Sequence, residues 1–337
     1  MSQIRRGIVL AGISAALFGM TAPLLKRASL GVSPLVAGAL LYVGAALGAV
    51  LWVVGGGEPL AGWRALLRRR ALARLGLVAV LGAAVAPTLL VAGIARTDAS
   101  TASLLLALEA PFTLLLARLF LKEFLGPRVL LAAALIFAGG LALIVGGGPL
   151  VGSVRASGAL LVGAATLAWA LDNLLSRPLA EHSVSAVVIA KGLLGAAAAL
   201  GAALATGAAF PAAAAAWPIL ALGAVGYGVS LQFYLRAQRA VGAARTASVF
   251  AVAPFIGVAV ALAFGAPWPG LQLPIAGVLI AVGLWLHLEE RHQHAHRHEA
   301  LEHEHLHSHD DGHHIHRHDP MPEGPHSHPH AHDPLVH

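Results

Sequence analysis

One carboxylate stands inside a long apolar run: Glu109, in LLLALEAPF at 104–112. A charge in hydrocarbon costs at least ~2.5–3.5 kcal/mol, so an acid at that depth is kept where it faces a cavity or a partner. The chemistry open to it is to hold a proton or to bind a substrate amine. The plainer reading is a neutral acid hydrogen-bonded to a neighbouring helix. Pro111 follows two residues later, where it frees a backbone carbonyl and bends the helix beside the acid. Lys191, in VVIAKGLLGA, is the opposite charge within another run. It can pair with an acid, meet an anionic group or extend to the interface. Asp172 and Asn173, in AWALDNLLSRPL, add polar groups near the end of a third. Tyr227 and Tyr234 are seven residues apart and share a helix face, either lining a cavity or anchoring at the interface. Pro87, Pro111 and Pro254 all fall inside apolar runs and predict local breaks that can serve as hinges.

A second set of chemical groups lies at the far end of the chain. Residues 292–337 hold 17 of the 19 histidines, many alternating, as in HEHLHSHDDGHHIHRH at 303–318. In an extended chain, alternate residues share a face, so each His-x-His offers two imidazoles to one ion. With no cysteine in the chain, the fitting metals are Zn²⁺, Ni²⁺, Co²⁺ or Cu²⁺. The candidate ligands are His303, His305, His307, His309, His314, His316 and His318. Few apolar residues and repeated prolines predict that 291–337 is disordered. A tolerated low-complexity tail is the alternative to a metal-binding one.

The elements that position these residues are membrane helices. Of 337 residues, 58% are hydrophobic and 11% charged, and the mean hydropathy is +0.76. A water-facing surface needs more charge than that. The apolar residues come in blocks of about 20, the length that crosses ~30 Å of hydrocarbon. Ten spans are expected, near 7–25, 33–54, 75–94, 99–121, 128–146, 157–176, 184–205, 216–235, 246–264 and 271–288. The first is read as a retained span and not as a cleaved leader. The basic residues sit in short connections, which points to membrane topology and away from nucleic acid. With the N-terminus inside, 17 of the 22 Lys and Arg fall on the inner side. Four (Lys26, Arg27, Arg96 and Arg155) fall outside. Both termini are therefore expected on the cytoplasmic face of a bacterial inner membrane.

The chain repeats itself. TASLLLALEAPF (101–112) resembles TASVFAVAPF (246–255), and GAAVAP (82–87) resembles GAVGYG (223–228). Two five-span halves follow, near 1–148 and 155–290. Five is odd, so the halves enter the membrane in opposite senses, a hallmark of secondary transporters. The stretches ARTDASTASLLLALEAPFTLLLARLFLKEFLGPR (95–128), WALDNLLSRPL (169–179) and GYGVSLQFYLRAQRAVGAARTASVFAVAPFIG (226–257) resemble the EamA-like type of the drug/metabolite transporter superfamily. The resemblance covers nearly all of 7–288. It implies a ten-helix carrier, commonly an exporter of small metabolites or drugs. The family commonly ends the fourth helix of each half on Gly-Glu. Here the first half has Lys122-Glu123 and the second Gly265-Ala266, so only the first half carries that acid.

The expectation is an all-α polytopic membrane protein of ten transmembrane helices in two inverted five-helix repeats. Its expected work is alternating-access transport, coupled to a proton or substrate gradient, with Glu109, Asp172, Asn173, Lys191 and Tyr227 at the substrate or coupling site. No nucleophile–base pair or phosphate loop supports an enzyme, and no cofactor is required. The expected partners are a small molecule and the bilayer, and small-residue faces would allow a homodimer. Two alternatives stand beside this: a Ni²⁺, Co²⁺ or Zn²⁺ carrier fed by the tail, or a membrane-anchored metal buffer or sensor.

Overall fold

A computed structural model of the chain describes residues 3–56, 63–146, 152–179, 183–288, 301–307 and 326–332. The chain divides into two compact units, 1–290 and 291–337.

The first unit is helical throughout its described residues. Nine apolar helices of 19 to 29 residues follow one another. They are α1 (Gln3–Ala28), α2 (Pro34–Val54), α3 (Arg69–Ile94), α4 (Ala99–Leu121), α5 (Pro127–Val145), α6 (Val154–Leu179), α7 (Val184–Ala205), α8 (Ala213–Val241) and α9 (Arg245–Ala263). A shorter apolar helix, α10 (Gln272–Leu288), completes ten. Short connections make successive helices antiparallel. Several start or end outside the runs that hydropathy marks. The helix α3 begins at Arg69 rather than near 75, and α8 continues to Val241 rather than stopping near 235. Polar turns at a membrane surface remain helical because water and long basic side chains satisfy them.

The packing repeats with the sequence. The helix α1 packs on α8, and α3 packs on α6, which is the same pair with the halves exchanged. The α2–α7, α4–α9 and α5–α10 pairs each map onto themselves. This is the arrangement two inverted five-helix halves generate. Its centre is built from backbone approach. A Cβ on Gly44 would overlap Leu220 O, and one on Gly223 would overlap Leu41 O. Only glycine allows α2 and α8 to cross so closely. Across α1 and α8, Ser14 Oγ donates to Ser230 O at 2.8 Å and Ser230 Oγ donates to Ser14 O at 3.0 Å.

The irregular turns repeat too. The helix α3 carries a π-helical turn at Ala79–Val85, and α8 carries one at Gly223–Val229. These turns overlap the two stretches the internal repeat aligns, 82–87 and 223–228. In α4 a 3₁₀ turn, Leu106–Leu108, comes just before Glu109 and Pro111. In α9 the helix breaks at 251–252, just before Pro254. Pro87 follows the π turn of α3. Each of the three expected hinge prolines therefore adjoins a real irregularity. A further break, at Met20 in α1 ahead of Pro23, was not expected from the sequence.

In the second unit, β1 (Leu301–His307) pairs antiparallel with β2 (His326–His332). His303 stands opposite His330, His305 opposite His328, and His307 opposite His326. These two stretches are the described residues of 291–337, and the disorder expected of that segment stays an expectation. Alternation of period two suits a strand, and Pro329 is tolerated because both strands of a two-stranded ladder are edges. His309, His314, His316 and His318 lie outside the described residues.

Candidate functional site

The break in α4 decides where Glu109 points. The 3₁₀ turn at Leu106–Leu108 tightens the helix one residue before it. Pro111 cannot donate a backbone hydrogen bond into that turn. Glu109 is half-buried there. Its Oε1 accepts a hydrogen bond of 2.7 Å from Asn173 Nδ2, on α6. Asn173 is exposed, so this pair does not lie in a sealed core.

One residue earlier on α6, Asp172 turns inward and is 2% exposed. Lys191, from α7, forms an ion pair with Asp172 Oδ2. Ser176 Oγ donates to Asp172 Oδ1 at 3.2 Å. The carboxylate lies against the π turn of α3, where a Cβ on Gly82 would overlap it. That turn also exposes a carbonyl. Trp169 Nε1, one turn back on α6, donates to Gly82 O at 3.0 Å and to Tyr42 Oη at 3.1 Å. A π turn leaves a carbonyl without its helical partner, and this one is used to hold α6.

An aromatic wall closes the other side. The Tyr227 ring packs edge-on to Phe18 at 5.6 Å and tilted to Tyr42 at 5.7 Å and Trp169 at 6.2 Å. Phe250 continues the wall toward Tyr234, with ring centres 5.0 Å apart. Tyr42 and Tyr227 both lie within electrostatic reach of Glu109. Glu109 in turn lies within reach of Asp172 and Lys191. The structure thus brings Glu109, Asp172, Asn173, Lys191 and Tyr227 into one region. Tyr42, Trp169, Phe18 and Gly82 were missed. The signal available for two of them was the polar atom on Tyr42 and Trp169, because buried Tyr and Trp need partners.

The arrangement carries one uncompensated carboxylate, Glu109, beside one neutralised acid–base pair, between aromatic faces. Such a site can hold a proton, an amine or an organic cation against rings and a negative charge. At the end of the bundle shared by Gln3 and Leu288, Arg177 Nη1 meets Glu123 Oε1 at 2.8 Å. Both side chains are about half exposed, so this bridge ties the α4–α5 connection to α6 but adds little stability. Among the described residues, no group of three or more His, Cys, Asp or Glu is placed to hold a metal.

Comparisons with known proteins bear on the fold and the family. Residues 5–145 match the EamA-like transporter family. An uncharacterized transporter of Methanothermobacter thermautotrophicus is 35% identical over 115 residues. That stretch is 34% of this chain and about a third, 34%, of the relative's length. One crystal structure, described only as that of a protein, superposes with a TM-score of 0.61 over 83% of this chain and 94% of its own. Its identity is 19%, so it speaks for the fold.

Proposed function

We propose that the chain, whose residues 5–145 match the EamA-like transporter family, is a secondary transporter of small metabolites or drugs. It works by alternating access, and its direction is export across a bacterial cytoplasmic membrane. The observation that carries the reading is Glu109. It is a half-buried carboxylate at a helix break, hydrogen-bonded across the two halves to Asn173. Rocking of one half against the other changes which end of the bundle that acid meets. The breaks beside Pro87, Pro111 and Pro254 absorb the change in backbone angle.

In this reading Glu109 takes up a proton or the amine of a substrate, and the two compete for it. Asn173 orients the carboxylate. Asp172 and Lys191 neutralise each other and set the floor of the site. Tyr42, Trp169 and Tyr227 supply flat apolar faces for a ring or an alkyl ammonium. The chemistry is binding and release, with no bond made or broken.

The test is a substrate screen in proteoliposomes with an imposed pH gradient. Gradient-driven flux of an amine substrate is expected for the full chain. It should fall at least about a hundredfold in Glu109→Gln, which keeps the hydrogen bond but neither charge nor proton. Flux unchanged by Glu109→Gln would overturn the assignment. The metal-carrier and metal-buffer alternatives gain no specific observation in the spans. The paired strands 301–307 and 326–332 set histidine opposite histidine, so tail metal binding is kept as a separate proposal from transport.

A further inference from the structure

The four outer-side basic residues that the charge rule leaves unexplained are not scattered. Lys26 and Arg27, in the last turns of α1, Arg96, in the α3–α4 connection, and Arg155, in the first turn of α6, all line one cavity. Its volume is about 360 Å³. It opens at the end of the bundle opposite Gln3 and Leu288. The connections at that end, 29–33, 95–98, 146–153, 206–212 and 264–271, contain one other charged residue, Asp98. Asp98 lines the same cavity. Every charge at that end is therefore gathered in one place, with four cations against one carboxylate.

Their present contacts leave the charge in excess. Lys26 Nζ donates to Ile94 O and Thr97 O at 2.5 and 2.6 Å. Arg27 donates to Phe264 O and lies over the Phe264 ring at 5.2 Å. Arg96 Nη1 donates to Ala92 O at 2.7 Å. These acceptors are carbonyls at or just beyond the ends of α3 and α9, whose partial negative charge orients the cations and offsets only part of their charge. Asp98 Oδ1 already accepts from Thr101 N at 2.8 Å, as the cap of α4. Arg155 is half-buried, has no hydrogen-bond partner among the described residues, and stands close enough to Lys26 for their charges to interact. Like charges held together around a concave space recruit an anion.

We propose that this cavity binds an anionic oxygen group, a phosphate or sulfate, at the end of the bundle away from the termini. Two sources present that chemistry: a soluble anion or the headgroup of an acidic lipid. Arg96 and Arg155 grip the ligand, Lys26 and Arg27 fix the cavity wall, and Asp98 limits the affinity.

The test uses the full chain, first in neutral detergent titrated with inorganic phosphate or sulfate. It is then repeated in phosphatidylcholine nanodiscs with and without phosphatidylglycerol, with bound lipid read by native mass spectrometry. Arg96→Gln with Arg155→Gln is expected to weaken binding at least about tenfold, the equivalent of one charge-assisted hydrogen bond. Asp98→Asn keeps the capping oxygen but removes the only opposing charge, so it should tighten binding about tenfold. Misfolding does not produce that gain. Arg69→Gln with Arg70→Gln, at the other end, should change nothing. Binding of phosphate or sulfate without lipid enrichment assigns the site to soluble anions, and retention of phosphatidylglycerol alone assigns it to lipid. No binding of either kind, binding indifferent to Asp98→Asn, or equal weakening by the Arg69 and Arg70 pair would overturn the proposal.

Discussion

Two carboxylates on neighbouring helices, Glu109 on α4 and Asp172 on α6, have different work because their neighbours differ. Asp172 is sealed against the π turn of α3 and neutralised by Lys191. Glu109 is only half-buried, and its carboxylate has an amide for a partner. The paired acid belongs to the frame, and the unpaired one is left to exchange ligands. Removing one member of a buried pair strands the other, at a typical cost of ~3–5 kcal/mol, whereas removing both is nearly neutral. Lys191→Met should therefore lower stability to denaturant in detergent by roughly 3 kcal/mol, and Asp172→Asn with Lys191→Met should recover most of it. Equal losses in the single and double variants would show that Lys191 acts by packing alone. Gly82→Ala tests the same wall from α3. A methyl group there overlaps the Asp172 carboxylate, and overpacking of this kind costs about 1–3 kcal/mol. If Gly82→Ala unfolds at the same denaturant concentration as the parent, the close approach is not needed.

At the scale of helices, the two halves end their fourth members in the same left-handed turn with different residues. Lys122 has φ 56° and Gly265 has φ 78°. Each sits just beyond the last turn, α4 and α9 respectively. Glycine takes that conformation freely, while a side chain there costs roughly 1 kcal/mol or more. Lys122→Gly is expected to stabilise the protein by about 0.5–1 kcal/mol, and Gly265→Ala to destabilise it by about as much. Equilibrium unfolding in detergent would show whether the signs are opposite. That pairing of positions was visible in the sequence as Lys122-Glu123 against Gly265-Ala266, since the repeat set them side by side. The spans were also legible, because a run of apolar residues has few other places to go. The prolines marked breaks for a plain reason, their missing donor. The π turns were not legible. Gly, Ala and Val at 79–85 and 223–229 are ordinary helix-packing residues, and only the approach of Asp172 and Leu41 shows why the backbone widens there. Tyr42 and Trp169 escaped for a related reason: in an apolar span, a ring that lines a site and a ring that fills a core have the same hydropathy. The tail carried two readings at once. Its prolines argued for disorder, while its alternation, read as ligand spacing, was also the period of a strand.

For the whole molecule, inversion of the two halves joins function to topology. If α1–α5 and α6–α10 exchange roles as they rock, the Glu109 site must meet one side of the membrane and then the other, while the charged cavity of Lys26, Arg27, Arg96 and Arg155 always faces one side. The side it faces follows from the proposed orientation, in which the arginine-rich segment with Arg68, Arg69 and Arg70 lies inside. The histidine-rich unit, 291–337, is separate from the helical unit, and its deletion should leave amine flux in proteoliposomes within about twofold of the full chain. Loss of flux with the tail would return weight to metal-dependent transport. Topology can be measured directly because the chain has no cysteine, so any thiol introduced is the only one. Arg68, beside the start of α3, and Ala209, in the 206–212 connection at the opposite end, are both exposed. A membrane-impermeant maleimide added to intact cells should label Ala209→Cys and spare Arg68→Cys until the membrane is opened. The reverse pattern would put both termini outside and turn the phosphate- or sulfate-binding cavity toward the cytoplasm. Its ligand would then be met before export, not after it.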